Sequence, residues 1–308
     1  PGDVDNDGDM DIYVANDKDM NLLFINNGKG RFTESALLMG VGFNGNGLAE
    51  AGMGVDLGDI DRDGWLDIYV TNYSGETNTM YLNQNSGIFS DATNDIGLGQ
   101  PSVHPLAFGT KLVDLDLDGW LDIFVANGHV IDNINLFNKD YKHAQHNQIY
   151  LNQKNGYFVD ITESVGKDIL HRAVSRGSAF ADIDNDGDAD IIISNNNGKA
   201  RLLINEGKPK NNWIGIELEG RSCNRQAIGS KITISTESGD QTTWVNPAGS
   251  YLTSNDTRVV FGIYNDQLVR SMTVDWPGSG QEVFTELEPN QYYKIIQGTS
   301  ITAISTDL

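Results

Sequence analysis

Short runs of alternating apolar and polar residues recur along the first two thirds of the chain. Asp11-Ile12-Tyr13-Val14-Ala15-Asn16 is one, and residues 67–72, 122–127 and 190–195 repeat it. Apolar side chains two apart (Ile12/Val14, Ile68/Val70, Ile123/Val125, Ile191/Ile193) predict half-buried β-strands, each closed by an asparagine: Asn16, Asn72, Asn127, Asn195. A second strand follows in each copy, at Leu22 to Asn26, Thr79 to Asn83, Gln148 to Asn152 and Arg201 to Asn205. A glycine turn and an aromatic come next in three copies: Gly30-Arg31-Phe32, Gly87-Ile88-Phe89, Gly156-Tyr157-Phe158. A leading strand opens at Gly54, Gly109 and Gly177 in the last three copies. No stretch carries a helical period.

Between the leading strand and the next lies one nine-residue pattern, D-x-D-x-D-G-x-x-D, starting at residues 3, 59, 114 and 182. Recurrence at this spacing signals a repeat architecture. About four short strands per copy predict an all-β fold, a β-propeller of four-stranded blades in which stacked neighbours bury faces that no blade buries alone. The first copy lacks its leading strand, which predicts a partial propeller belonging to a longer protein with roughly six to eight blades. The third copy is longer, and its excess at 128–146 predicts a loop between its second and third strands.

The alternating aspartates of the pattern converge on one centre. Glycine at position 6 permits the positive φ that folds the loop back. Position 7 can offer its carbonyl, and the aspartate at position 9 closes the far side. The predicted metal ligands are Asp3, Asp5, Asp7, Asp9 and Asp11; Asp59, Asp61, Asp63, Trp65 and Asp67; Asp114, Asp116, Asp118, Trp120 and Asp122; Asp182, Asp184, Asp186, Asp188 and Asp190. Hard oxygen donors suit Ca²⁺, about four ions in all, and nothing in the set suits zinc. Two carboxylates 4 Å apart repel by about 4 kcal/mol at an effective dielectric of 20, so a cation in each loop should stabilise the fold. A helix–loop–helix calcium hand would need an acid at position 12, where Val14, Val70, Val125 and Ile193 stand.

These residues resemble the FG-GAP/VCBS repeats of integrin-α-type propellers, as in Phe108-Gly109-Thr110-Lys111-Leu112-Val113-Asp114. The resemblance spans roughly 1–207 and implies calcium in the hairpin loop joining the first two strands of each blade. The polar stretch 208–212 reads as a linker. Beyond it, Trp213 to Leu218, Ala227 to Ser235, Thr242 to Val245, Arg258 to Phe261, Ser271 to Trp276 and Tyr292 to Ile296 predict a small all-β, sandwich-like domain over 213–300. That domain is similar to ASPIC/UnbV, through Asn224-Arg225, Ile228-Gly229-Ser230-Lys231-Ile232, Gly249-Ser250-Tyr251-Leu252, Phe261-Gly262, Val274-Asp275-Trp276-Pro277-Gly278 and Asn290-Gln291. Blades followed by this domain resemble the layout of the cartilage acidic protein 1-like family.

Charge narrows the function. With 43 acidic against 21 basic residues the net charge is −22, which argues against nucleic acid and anionic membrane as partners. Four calcium ions would reduce it to −14. No apolar run is long enough to span a bilayer. One cysteine, Cys223, rules out an intrachain disulfide. No phosphate loop, nucleophile elbow or Cys–His pair appears, so no catalytic residue is expected. His129, His143 and His146 share the long loop, where a plain polar loop is expected over a metal cluster; Phe137, Tyr141 and Gln145 beside them could contact a ligand. Trp65 and Trp120 are expected to cover neighbouring blades. The expectation is a non-enzymatic, calcium-stabilised module outside the cytoplasm that binds a protein or a glycan. The alternative is a calcium-dependent, lyase-like enzyme on polysaccharide; RNA binding is disfavoured by charge.

Overall fold

The computed structural model describes residues 1–207 and 211–304. Six small sheets carry almost all the regular structure, with two four-residue helical turns at Ala36–Met39 and Gly99–Ser102. The first sheet is β1 (Ile12–Val14), β2 (Leu22–Asn26) and β3 (Phe32–Glu34). The second is β4 (Val55–Gly58), β5 (Asp67–Val70), β6 (Thr79–Asn83) and β7 (Phe89–Asp91). The third is β8 (Ala107–Val113), β9 (Asp122–Asn127), β10 (Gln148–Asn152) and β11 (Phe158–Asp160). The fourth, β12 (Ser175–Ala181), β13 (Asp190–Asn195) and β14 (Arg201–Leu203), stops at three strands. All neighbours within these sheets run antiparallel in sequence order.

The sheets stack face to face as successive propeller-like blades. The leading strand β8 lies beside β4 on one side and β12 on the other. Apolar residues at period two face both neighbours, and three cores fill the spaces. Val4, Tyr13 and Leu23 meet Ile68, Tyr81 and Phe89; Tyr69 and Met80 meet Ile123, Tyr150 and Phe158; Phe124 and Ile149 meet Phe180 and Ile191. The aromatics that follow the glycine turns, Phe89 and Phe158, each plug the space shared with the preceding sheet. The excess of the third repeat does lie between its second and third strands, as the loop from β9 to β10.

The C-terminal part is a two-sheet sandwich. One sheet orders β18 (Val259–Tyr264), β15 (Asn212–Glu219), β21 (Gln291–Ile296) and β22 (Ile301–Ile304). The other orders β17 (Asp240–Trp244), β16 (Lys231–Ser235), β19 (Val269–Trp276) and β20 (Gly280–Leu287). Ile214, Ile216, Ile232, Ile234, Met272, Val274 and Ile295 form its continuous core.

Three expectations change. Among the described residues the fourth repeat shows no outer strand, and its sequence carries no glycine-x-aromatic turn after Asn205. Strands β20 and β22 were not anticipated. Most of β20 is exposed, so its sequence carries no apolar stripe; β22 is an edge strand and carries the sandwich past residue 300. The linker is shorter than 208–212: Asn212 already begins β15, and the amide of Asn211 donates to the Asp116 carbonyl (2.8 Å). Residues 208–210 lie outside the described residues.

Candidate metal centres

Each nine-residue loop folds the same way. The first aspartate accepts the N–H of position 5 at 3.1 Å in all four copies. Its other oxygen accepts the glycine N–H at position 6, at 2.7–3.1 Å. The glycines sit at φ +85° to +100°, where a Cβ would strain the chain. Position 4 is left-handed too, with Asn6, Arg62, Leu117 and Asn185 at φ 57–62°. Asparagine tolerates that region; arginine and leucine do so only when the surroundings hold them there.

This winding brings three carboxylates together per loop: Asp3, Asp5 and Asp11; Asp59, Asp61 and Asp67; Asp114, Asp116 and Asp122; Asp182, Asp184 and Asp190. Within each triad, one oxygen from each residue lies within 4.8 Å of the others. The predicted residues at position 5 (Asp7, Asp63, Asp118, Asp186) fall outside these triads. Each instead accepts the N–H of position 7 (Asp9, Trp65, Trp120, Asp188) at 2.9–3.2 Å, stiffening the outer turn.

Position 9 has a second role that the sequence reading missed. One oxygen of Asp11, Asp67, Asp122 and Asp190 accepts the N–H of position 2 at 2.9–3.1 Å. The other accepts the N–H of Asn26, Asn83, Asn152 or Asn205 at 2.8–2.9 Å. One carboxylate therefore ties the loop to the third strand of its own repeat. The same asparagines reach further. The side-chain amides of Asn83, Asn152 and Asn205 donate to the carbonyls of Val4, Ile60 and Leu115 in the preceding loop (2.9–3.0 Å). Their recurrence at the end of every second predicted strand was the available signal.

The loops are also linked in series on one face. Asn6 donates to the Gly64 carbonyl (3.0 Å) and Arg62 Nε to the Gly119 carbonyl (2.8 Å) while its guanidinium covers Trp120. The sandwich takes over from there. Leu117 packs with Trp213 and Tyr292. Arg258 donates to the Asn185 side chain (2.7 Å) and the Asp182 carbonyl (2.6 Å), and Tyr292 donates to Asp182 Oδ2 (2.6 Å). Trp213 lies so close over Gly187 that a Cβ there would sit 2.0 Å from its ring. The loop bearing Gly249-Ser250-Tyr251-Leu252 rests on the leading strands: Val55 N–H donates to the Ser250 carbonyl and Ser178 N–H to the Ser250 hydroxyl.

The donor chemistry fits a hard divalent cation. All three converging side chains are carboxylates, and each keeps lone pairs beyond those its backbone partners use. Without a cation their charges are poorly supported. Burial, reinforced by neighbouring aspartates, pushes Asp11 up to about 6, Asp59 to about 7, Asp114 to about 8 and Asp122 to about 9. Burial pushes Asp188 to about 8, with Asp186 and Asp190 adding repulsion, and neither of its oxygens has a hydrogen-bond partner.

The long loop from β9 to β10 is built around His129. Its N–H donates to the His143 carbonyl (2.9 Å), its Nδ1 accepts the Ile131 N–H (3.0 Å), and its buried ring packs against Tyr73 and Tyr141. Burial lowers its pKa, and an Nδ1 that accepts a backbone N–H leaves Nε2 to carry the proton of the neutral ring. Leu136 and Phe137 at the tip of this loop are exposed. No helix among the described residues is long and apolar enough to cross a membrane.

Residues 3–70, 59–125 and 114–193 match the FG-GAP-like repeat family, and residues 220–302 match the ASPIC and UnbV family. Cartilage acidic protein 1 of Xenopus tropicalis is 28% identical over 92% of this chain and 42% of its own length. The proteins of the same name from Mus musculus and Homo sapiens are each 27% identical over 87% of this chain and 39% and 38% of theirs. The chain thus spans about two fifths of the curated relatives it matches. The solved structure of an Agrocybe aegerita lectin that recognises non-reducing terminal N-acetylglucosamine superposes at a TM-score of 0.36 and 20% identity, over 67% of this chain and 51% of its own.

Proposed function

The chain belongs to the FG-GAP-like repeat family, and from that premise we propose that it is a non-enzymatic binding module working outside the cytoplasm, its blades stabilised by about four Ca²⁺ ions. One observation supports the metal part: the same carboxylate triad recurs in four loops that share the hydrogen bonds of positions 1 and 9. Positions 1, 3 and 9 would hold the ion, with the carbonyl of position 7 and the carboxylate of position 5 as further donors of the expected set. Bound calcium would supply the positive charge that the clustered carboxylates lack. The protein then keeps each loop wound, and through position 9 and its asparagine keeps one blade fastened to the next. Millimolar calcium outside cells would fill even weak sites of this kind. The relatives' name places them in cartilage, which supports the extracellular reading.

The binding surface we favour is the exposed tip of the long loop, where Leu136 and Phe137 stand clear of a scaffold fixed by His129. Its partner would be an extracellular protein or glycan. A glycan and matrix-protein array probed in calcium and in chelator tests this. Calcium-dependent capture that Phe137→Ala weakens without moving the melting temperature supports the reading. Release of unsaturated oligosaccharides from uronate polymers would instead establish the enzymatic alternative.

A further inference from the structure

The four loops share their backbone hydrogen bonds, yet one of them receives a further donor. Among the described residues, Asp3, Asp59 and Asp114 accept hydrogen bonds only from backbone N–H groups of their own loops. Asp182 accepts the same two and a third, from the Tyr292 hydroxyl to Oδ2 at 2.6 Å. Tyr292 stands on β21, 110 residues further along the chain, so the donor belongs to the sandwich. Both partners are buried. The hydroxyl is aimed from every side. Gly215 lies beside it in β15, where a Cβ would come 2.2 Å from the Tyr292 ring. Trp213 meets the ring edge to face, with centroids 5.1 Å apart, and the Arg258 guanidinium lies over it at 4.8 Å. Arg258 is itself fixed by Asp256 (2.7 Å) and donates onward to the Asp182 carbonyl and the Asn185 side chain. The array converges on a carboxylate of the fourth triad.

We propose that Tyr292 is a positioning residue for the fourth candidate metal centre, so that cation binding in this loop and docking of the sandwich on the blades form one linked equilibrium. The inference rests on the calcium reading above. A carboxylate that must face a cation gives up rotational freedom, and a rigid outer donor removes that cost in advance. By reciprocity, an ion held by Asp182 favours the docked sandwich by the same factor. The second loop is the contrast, since among the described residues its hydrogen bonds reach other blades and none reaches the sandwich. The joint has its own cluster, Leu117, Trp213 and Tyr292, apart from the continuous core of the sandwich. Undocking and unfolding of the sandwich are therefore separate events.

Calcium titration of the intact 308-residue chain tests this. Tyr292→Phe keeps the ring and removes the hydroxyl. It should weaken one of four sites by about tenfold to a hundredfold and leave the other three as they are. The reverse direction is read at the amides of Phe180 and Asp256, whose hydrogen bonds cross the joint. Calcium should slow their exchange by about tenfold in the unmodified chain and equally in Asp61→Asn. It should not do so in Asp184→Asn, which neutralises an exposed carboxylate of the fourth triad. Four unchanged affinities in Tyr292→Phe would overturn the proposal. So would a tighter fourth site, which would make the hydroxyl a competitor of the ion, or exchange slowed alike in Asp61→Asn and Asp184→Asn. Uptake of no calcium at all is a distinct result, and it would overturn the calcium reading together with this inference.

Discussion

The repeat region and the C-terminal sandwich are both all-β, yet they are held together differently. The sandwich has a continuous core in which Ile214, Ile232, Ile234, Met272, Val274 and Ile295 are fully buried, and its strands carry few buried charges. The repeat region has smaller cores, one per interface, and buries aspartates in every loop: Asp3, Asp11, Asp59, Asp67, Asp114, Asp122, Asp182 and Asp190. Burying a carboxylate costs stability unless it is paired and hydrogen-bonded. Backbone N–H groups supply the hydrogen bonds, and on the proposed reading a cation supplies the charge. On that reading the sandwich is stable through its carbon core, and the repeat region depends on its ions.

Substitutions should separate the two halves. Ile232→Ala, at a fully buried site, should cost about 2–5 kcal/mol in the sandwich, equally in calcium and in chelator, as read from chemical denaturation. Asp122→Ala should cost about 2–4 kcal/mol in the repeats even in chelator, because it leaves the Leu115 and Asn152 N–H groups without an acceptor, and more in calcium, where an expected ligand is lost as well. Asp61→Ala should differ from it in kind. That carboxylate accepts only a 3.3 Å bond from Asp63 N–H, so its loss should appear mainly in calcium, at about 2.7 kcal/mol when calcium is a hundredfold above Kd, and nearly vanish in chelator. Arg258→Ala should cost about 1–2 kcal/mol and loosen the joint, so that the two halves melt further apart.

Acidity offers a second separation. Carboxylates at about 6 to 9 in the folded, metal-free repeats, against an ordinary value near 4, bind more protons folded than unfolded. In chelator, repeat stability should therefore fall as pH rises from about 4 to 9. In calcium the sense should reverse, since protons displace the ion and stability is lost on acidification. Melting scans across pH, with and without chelator, read both slopes. The sandwich should follow neither.

Most of this was legible in residue order. The loops and their following strands recur four times, and recurrence turns a weak local pattern into a strong one. Helical turns at Ala36–Met39 and Gly99–Ser102 are too short to show a period. Two things hid for physical reasons. Strand β20 is a largely exposed edge, so Gly280 to Leu287 carries no alternation to read. The clamp between position 9 and its asparagine joins residues whose spacing varies, Asp67 to Asn83 in one copy and Asp122 to Asn152 in another, because the long loop intervenes. The left-handed position 4 also escaped notice, since Arg62 and Leu117 are residues that seldom stand there.

A calorimetric scan of the intact chain, run once in millimolar calcium and once in excess chelator, tests the central claim most directly. The account predicts a repeat-region transition that drops steeply on chelation and returns when calcium is restored, beside a sandwich transition that stays in place. Superimposable scans under the two conditions would contradict it.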